Sequence, residues 1–221
     1  MYLHAPERLV LPYTRAMMSF LLFVPDPKRI LMIGLGGGSM AKFLLHTLPH
    51  CQFDVVERSR PVTQLAHAYF GLPRSTRLRI HIGDGADFVC QRAADAVYDA
   101  ILVDAFTAQG IPASIVSAPF FAHCAATLAP AGVVACNLWG GRQTGFRTTL
   151  ATLRRHFGSN VFTLQVRARG NVIALATASR AALGPPMEDR AVALQRRTGL
   201  RFIDFAAALR RAGGFWHRLL A

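Results

Sequence analysis

The stretch RILMIGLGGGS, residues 29–39, decides the fold. Arg29 to Leu35 is a short apolar run that ends on glycines. From Ser39 to Leu48 the apolar residues fall at Met40, Phe43, Leu44 and Leu48, the spacing of one helix face. The local reading is strand, turn, helix. Downstream the same unit repeats. QFDVVE (52–57) reads as a strand, and Ser59 can cap a helix that starts near Pro61, a residue favoured in the first helical turn. LRIHI (78–82) and YDAILV (98–103) give two more strands, with a helix around Ala86 to Ala93 between them. A helix from about Ala118 to Leu128, closed by Pro130 and Gly132, leads into GVVACNL (132–138). Strands alternating with helices at this spacing pair in parallel through right-handed crossovers, so the expected fold is a doubly wound α/β sheet in three αβα layers.

The pattern continues at both ends. Beyond Gly141 it predicts a helix to Phe157, then strands at Val161 to Val166 and Val172 to Thr177. Two weaker helices follow, the last at Phe215 to Leu220. The last two strands, separated by Arg169, Gly170 and Asn171, read as an antiparallel hairpin at the sheet edge. Upstream, Tyr13 to Phe23 reads as a helix stopped by Pro25 and Pro27. We expect one domain over residues 1–221, without repeats or low-complexity segments.

Composition limits the function classes. Of the 221 residues 52% are hydrophobic and 17% charged, enough apolar surface to offset the entropy of ordering the chain, so wholesale disorder is excluded. The longest strongly apolar stretch, Ala16 to Val24, is well short of the roughly 20 residues a bilayer requires, and no leader pattern opens the chain. A soluble, cytoplasmic protein without a membrane partner is expected. Cys51, Cys90, Cys124 and Cys136 form no CxxC pair and sit among apolar neighbours, so they read as core residues rather than as a disulfide framework or metal site. The net charge of +13 is concentrated beyond Gly141, where fourteen Arg face only Glu188, Asp189 and Asp204. Such a field attracts nucleic acid, anionic lipid or an acidic partner. No aromatic interleaving or binding motif accompanies it, and 23 Arg against 2 Lys also fits a base-composition bias.

In an open α/β sheet, ligands bind beyond the carboxyl ends of the strands, where strand order reverses. Gly34, Gly36 and Gly38 follow the first strand and let a ligand approach the backbone. Each of the next three strands ends on an acid: Glu57, Asp84 and Asp104. Glu57 lies 23 residues after Gly34, near the spacing at which an acid accepts hydrogen bonds from ribose hydroxyls. It could equally pair with Arg58 or Arg60, or cap the next helix. Asp84, before Gly85, suits both a helix cap and an adenine amino group. His46, His67, His81, His123 and His156 are scattered singly and carry no inferred role. Asn137 and Trp139 read as packing residues near a possible acceptor pocket.

The order IGLGGGS (33–39), VVE (55–57), IGDG (82–85) and YDAILVDAF (98–106), followed by Gly110 and Pro112, resembles the spermidine synthase family of aminopropyltransferases. That family lies within the wider Rossmann-like S-adenosylmethionine methyltransferase fold. The likeness runs from about Tyr13 to Trp139. It implies that Gly34, Gly36, Gly38 and Gly85 line the nucleoside site, that Glu57 holds the ribose and that Asp84 meets adenine. Asp104 would begin the loop over the reacting centre as the catalytic residue, with Tyr13 and Thr107 on the substrate side. Several family positions differ here. Gly37 replaces the acid of a GGGDGG turn, Thr107 replaces the second acid of a DxxDP loop, and Arg15 stands where a glutamate usually follows the tyrosine by two positions. We expect the family's small N-terminal β-domain to be missing here.

The resemblance implies a transferase that binds S-adenosylmethionine, its decarboxylated form or methylthioadenosine, without metal, and moves an aminopropyl group to a small-molecule acceptor. Burying a polyamine's several charges requires several carboxylates, so the three replacements argue against ordinary putrescine as acceptor. Two alternatives stay open: methyl transfer from S-adenosylmethionine, and a nucleoside- or nucleic-acid-binding protein without catalysis. A homodimer is compatible with the sequence, which does not specify one.

Overall fold

The computed structural model describes residues 2, 4–92, 97–107, 110–139, 145–166, 170–177 and 186–217, with side chains described up to 211. Seven strands form one sheet: β1 (Arg29–Ile33), β2 (Gln52–Glu57), β3 (Leu78–Ile82), β4 (Tyr98–Val103), β5 (Leu128–Trp139), β6 (Val161–Gln165) and β7 (Asn171–Thr177). Their order is β3-β2-β1-β4-β5-β7-β6. The first five pair in parallel, whereas β7 runs antiparallel to both β5 and β6. The order reverses at β1, which has β2 on one side and β4 on the other. That is where a doubly wound sheet opens a crevice.

The helices are α1 (Pro12–Met17), α2 (Ser39–Thr47), α3 (Arg60–Tyr69), α4 (Gly85–Arg92), α5 (Ala118–Thr127), α6 (Gly145–Phe157), α7 (Pro186–Thr198) and α8 (Phe202–His217). Alternate strand residues feed two separate cores. Ile30, Met32, Ala100, Leu102, Val133, Ala135, Ile173 and Leu175 pack with α1, α2, α7 and α8. Leu31, Ile33, Ile101, Val103, Val134, Cys136 and Ala174 pack with α4, α5 and α6. The near-continuous apolar runs of the central strands follow from burial on both faces.

Three details depart from the sequence reading. The segment expected as one helix over Tyr13 to Phe23 is a short α-helix, α1, that tightens into a 3-10 helix at Met18–Leu22. Strand β5 begins at Leu128, four residues before the expected Gly132. Its pairing with β4 jumps from Tyr98 opposite Leu128 to Ala100 opposite Val133, so the extra residues, Pro130 among them, lie in an irregularity of the ladder where no amide of Pro130 is needed. Cys90 is exposed on α4, unlike the buried Cys51, Cys124 and Cys136; all four thiols are free. The turns expected at Arg169, the start of the Gly141 helix and the last residues of the C-terminal helix lie outside the described residues, as does Ala93. Among the described residues no helix is long and apolar enough to cross a membrane.

One polar cluster sits at the amino end of the sheet. Buried Asp54 of β2 accepts hydrogen bonds from Arg29 (2.8 Å), His81 (2.9 Å) and the Tyr98 hydroxyl (3.1 Å). Burial alone would raise the Asp54 pKa, but the bonds from His81, Arg29 and Tyr98 hold it below the usual carboxylate range. His81, without a role in the sequence reading, therefore ties β3 to β2.

Candidate active site

The strand ends are pinned to one another before any ligand is considered. Beyond β1, the Gly34 amide donates to the Val56 carbonyl at 2.8 Å. The Asp104 amide donates to the Ile33 carbonyl at 2.8 Å, and the Gly83 amide to the Glu57 carbonyl at 3.1 Å. The ladder thus runs one step past the strands and sets the three acid-bearing ends side by side. They open into one cleft of about 490 Å³.

Glu57, Asp84 and Asp104 all line this cleft, as do Gly34, Gly36, Gly85, Tyr13 and Thr107. Gly38 does not. It takes φ +69° immediately before α2, and a side chain there would run into Leu72 at 2.9 Å, so its place is in the packing behind the turn. Gly36 has φ +53° with open space where a Cβ would stand, which leaves its backbone accessible from the cleft. At Gly34 a Cβ would come within 2.3 Å of the Asp104 carbonyl oxygen, so the turn and the end of β4 touch without room for a side chain.

Each acid is held differently. The Glu57 carboxylate accepts from two backbone amides, Leu35 at 3.0 Å and Ser59 at 2.8 Å, which fixes it across the mouth of the glycine turn. The sequence reading left open an ion pair with Arg58 or Arg60, or a helix cap. The bond to Ser59 is local, while Ser59 itself caps α3 by accepting from the Val62 amide at 3.4 Å. Asp84 accepts from the Ala86 amide at 2.8 Å and so starts α4, with its other oxygen left for the cleft.

Asp104 belongs to a polar row that the sequence reading missed. Ala100 and Leu102 of β4, Val133 and Ala135 of β5, and Leu175 and Ile173 of β7 face the same core. Continued to the strand ends, that alternation brings Asp104, Asn137 and Asn171 onto one face. Asn171 donates to the Asn137 carbonyl at 2.9 Å, and Asn137 donates to the Asp104 carboxylate at 2.8 Å. From α1 the Tyr13 hydroxyl also hydrogen-bonds Asp104. Burial pushes the Asp104 pKa up, and the bonds from Asn137 and Tyr13 offset only part of that rise. Burial, then the charge of Asp104 and the bond to it, raise the Tyr13 phenol as well. The signal for this row was the alternation of β5 and β7, in which a polar residue ends an otherwise apolar face. The sequence reading took Asn137 as packing.

Arg15 turns away from the cleft. Its Nε donates to the Leu9 carbonyl at 2.8 Å, and the side chain lines a separate groove on the far side of α1. Three arginines of the basic C-terminal third are paired, Arg197 with Asp26, Arg201 with Asp204 and Arg210 with Glu188. Arg142, Arg167, Arg169, Arg180 and Arg218 lie outside the described residues. No group of three metal-ligating side chains occurs among the described residues.

The model of the spermine/spermidine synthase domain matches residues 11–162. A polyamine aminopropyltransferase of Chromobacterium violaceum is 37% identical over 214 residues, covering 96% of this chain and 81% of that protein. Human methyltransferase-like protein 13, solved in complex with SAH, superposes with a TM-score of 0.75 at 25% identity over 92% of this chain and 93% of that one. A probable spermidine synthase from Corynebacterium glutamicum gives a TM-score of 0.72 at 24% identity, over 89% of this chain and 74% of that one, and shows the same fold.

Proposed function

Because the chain belongs to the spermine/spermidine synthase family, we propose that it is an aminopropyltransferase whose donor is a sulfonium nucleoside, decarboxylated S-adenosylmethionine, held in the cleft at the strand ends. The observation that carries this reading is the convergence of Glu57, Asp84 and Asp104 on one cleft beside an open glycine turn. The residues fit such a donor. Glu57, braced by two amides, offers its remaining lone pairs to ribose hydroxyls; Asp84 offers a free oxygen to the adenine amino group; Gly36 admits close approach. When bound, the donor supplies an electrophilic carbon and a neutral thioether as leaving group.

The chain's own contribution is position and a proton acceptor. The acceptor's amine must be unprotonated to attack, and its ordinary pKa is near 10.4. Asp104, oriented by Asn137 and Tyr13, takes the proton while the amine lone pair forms the new C–N bond. The C–S bond electrons leave with sulfur as methylthioadenosine. Holding both reactants within one cleft removes most of the entropy cost of their encounter.

The test is release of methylthioadenosine by the purified chain given decarboxylated S-adenosylmethionine and an amine. Release with time and with enzyme concentration is the expected result. S-adenosylhomocysteine formed from S-adenosylmethionine, with no methylthioadenosine from the decarboxylated donor, would identify a methyltransferase instead.

Asn137 gives a second expected outcome. Asn137→Ala removes a donor that favours the ionised Asp104, so the carboxyl pKa rises further and the acid limb of kcat/KM moves to higher pH. Tyr13 faces the same carboxylate, and Glu57, Arg58 and Asp84 share the cleft. An unmoved acid limb with a uniformly lower rate would reduce Asn137 to a packing residue.

A further inference from the structure

Asp104 lines the cleft, but the two residues behind it, Asn137 and Asn171, do not. Both are buried, at 3% and 6% exposure, so their amide groups depend on protein partners rather than bulk water. Asn171 opens β7 and stands opposite Trp139 of β5, while Asn137 stands opposite Ile173. The two amides are therefore diagonal neighbours on one face of an antiparallel pair, and they bond at 2.9 Å. The Asn171 backbone is tied as well, because its carbonyl accepts from the Val166 amide at 2.9 Å and so joins β7 to the end of β6. Asn171 lies beyond residues 11–162, the stretch that the family model matches.

The direction of this row is dictated from its cleft end. An ionised carboxylate only accepts, so Asn137 turns its NH₂ to Asp104 and its oxygen inward, where the Asn171 NH₂ meets it. A protonated Asp104 could donate instead, and it would be served by the opposite arrangement, with the Asn137 oxygen outward and its NH₂ inward. The two arrangements fill nearly the same space. What separates them is whether the group behind Asn137 donates or accepts, and in the structure it donates.

We propose that Asn171 is a positioning residue for proton transfer: by donating to Asn137 it holds that amide with its NH₂ toward Asp104 and so keeps the carboxylate ready to accept a proton. The role of Asp104 is that of the aminopropyl-transfer reading, on which this inference rests and which it deepens. The β6–β7 hairpin, beyond the matched domain, thereby serves the site without touching a substrate. Other groups face Asp104 too: Tyr13 from α1 and, around the cleft, Glu57, Arg58 and Asp84, while Arg15 on the far side of α1 bonds the Leu9 carbonyl. They are retained in every variant below, so a difference between variants reports the row.

The experiment follows the Asp104 carboxyl directly, by carbon NMR of the full chain labelled at its aspartate carboxyl carbons, with the signal assigned through Asp104→Asn. Asn171→Leu, close in size and unable to donate, is expected to raise the Asp104 titration midpoint by about 0.5 pH unit or more, since the ionised form loses a fixed partner. Asn171→Asp, nearly isosteric and an acceptor only, should raise it further. In an Asn137→Ala background the Leu substitution should add nothing, because the link to Asp104 is already cut. The acid limb of kcat/KM for methylthioadenosine release should move with the midpoint. An unmoved midpoint in both Asn171 variants, or a Leu effect of the same size with and without Asn137, overturns the positioning role and leaves aminopropyl transfer in place. The expected midpoints in a chain that releases no methylthioadenosine would overturn the transfer reading and leave the control of Asp104 by Asn171 standing.

Discussion

Asp104→Asn is expected to lower kcat for methylthioadenosine release by a factor of about 10² to 10⁴, the range supplied by a positioned proton acceptor. The substitution is nearly isosteric, and an amide oxygen at position 104 can still accept from Asn137 at the observed 2.8 Å, so the local structure has little reason to change. What disappears is basicity. In the unaltered chain, burial holds the Asp104 carboxyl above the usual carboxylate range. As pH falls through that raised value Asp104 becomes protonated and can no longer accept from the amine. Activity is therefore lost on the acid side at higher pH than an ordinary aspartate would dictate. In the Asn variant the corresponding limb should vanish, leaving only the dependence set by the amine itself. A variant that keeps its rate within threefold, with the acid limb intact, would show that the proton leaves by another route.

Glu57→Gln is expected to weaken methylthioadenosine binding by about 100-fold. A hydrogen bond to a charged group contributes roughly 1.5 to 3 kcal/mol, and each 1.4 kcal/mol is a factor of ten in affinity. The carboxylate also accepts from the Leu35 and Ser59 amides, so Gln must turn its NH₂ toward one of two donors and part of the loss comes from the turn itself. A double cycle separates the contributions. Removing the 2′-hydroxyl from the ligand should cost affinity in the unaltered chain and little in the Gln variant, because the partner is already gone. Equal losses in both proteins, read by calorimetry, would place the ribose away from Glu57.

The parts of the fold that were legible are those whose signal is local. RILMIGL and YDAILV are apolar because both faces of the central strands are covered, and the glycines after residue 33 follow from the contact between Gly34 and Asp104. The three acids could be placed because each stands at or just beyond the carboxyl end of a readable strand. The resemblance to the spermidine synthase family added their roles, not their positions. The polar row behind Asp104 was harder to see. Asn137 and Asn171 are separated by 34 positions, lie on strands of opposite direction, and meet only because β7 sits antiparallel beside β5. Likewise nothing near Asp54 in sequence indicates that Arg29, His81 and Tyr98 will surround it. Gly38 was read with the cleft because it shares a motif with Gly34 and Gly36, yet half a turn of backbone directs it toward Leu72.

The absence of space between Gly34 and the Asp104 carbonyl also divides the molecule by how freely it can diversify. Position 34 should tolerate no residue but glycine in a saturation library, since any other would wedge apart the ends of β1 and β4. The opposite bank, formed by residues 10–14 and 105–107, includes side chains that are partly open to solvent, Leu11 and Phe106 among them. Under the proposed aminopropyl-transfer reading, substitutions at those exposed positions would alter the acceptor side while leaving the contact between Gly34 and Asp104 in place.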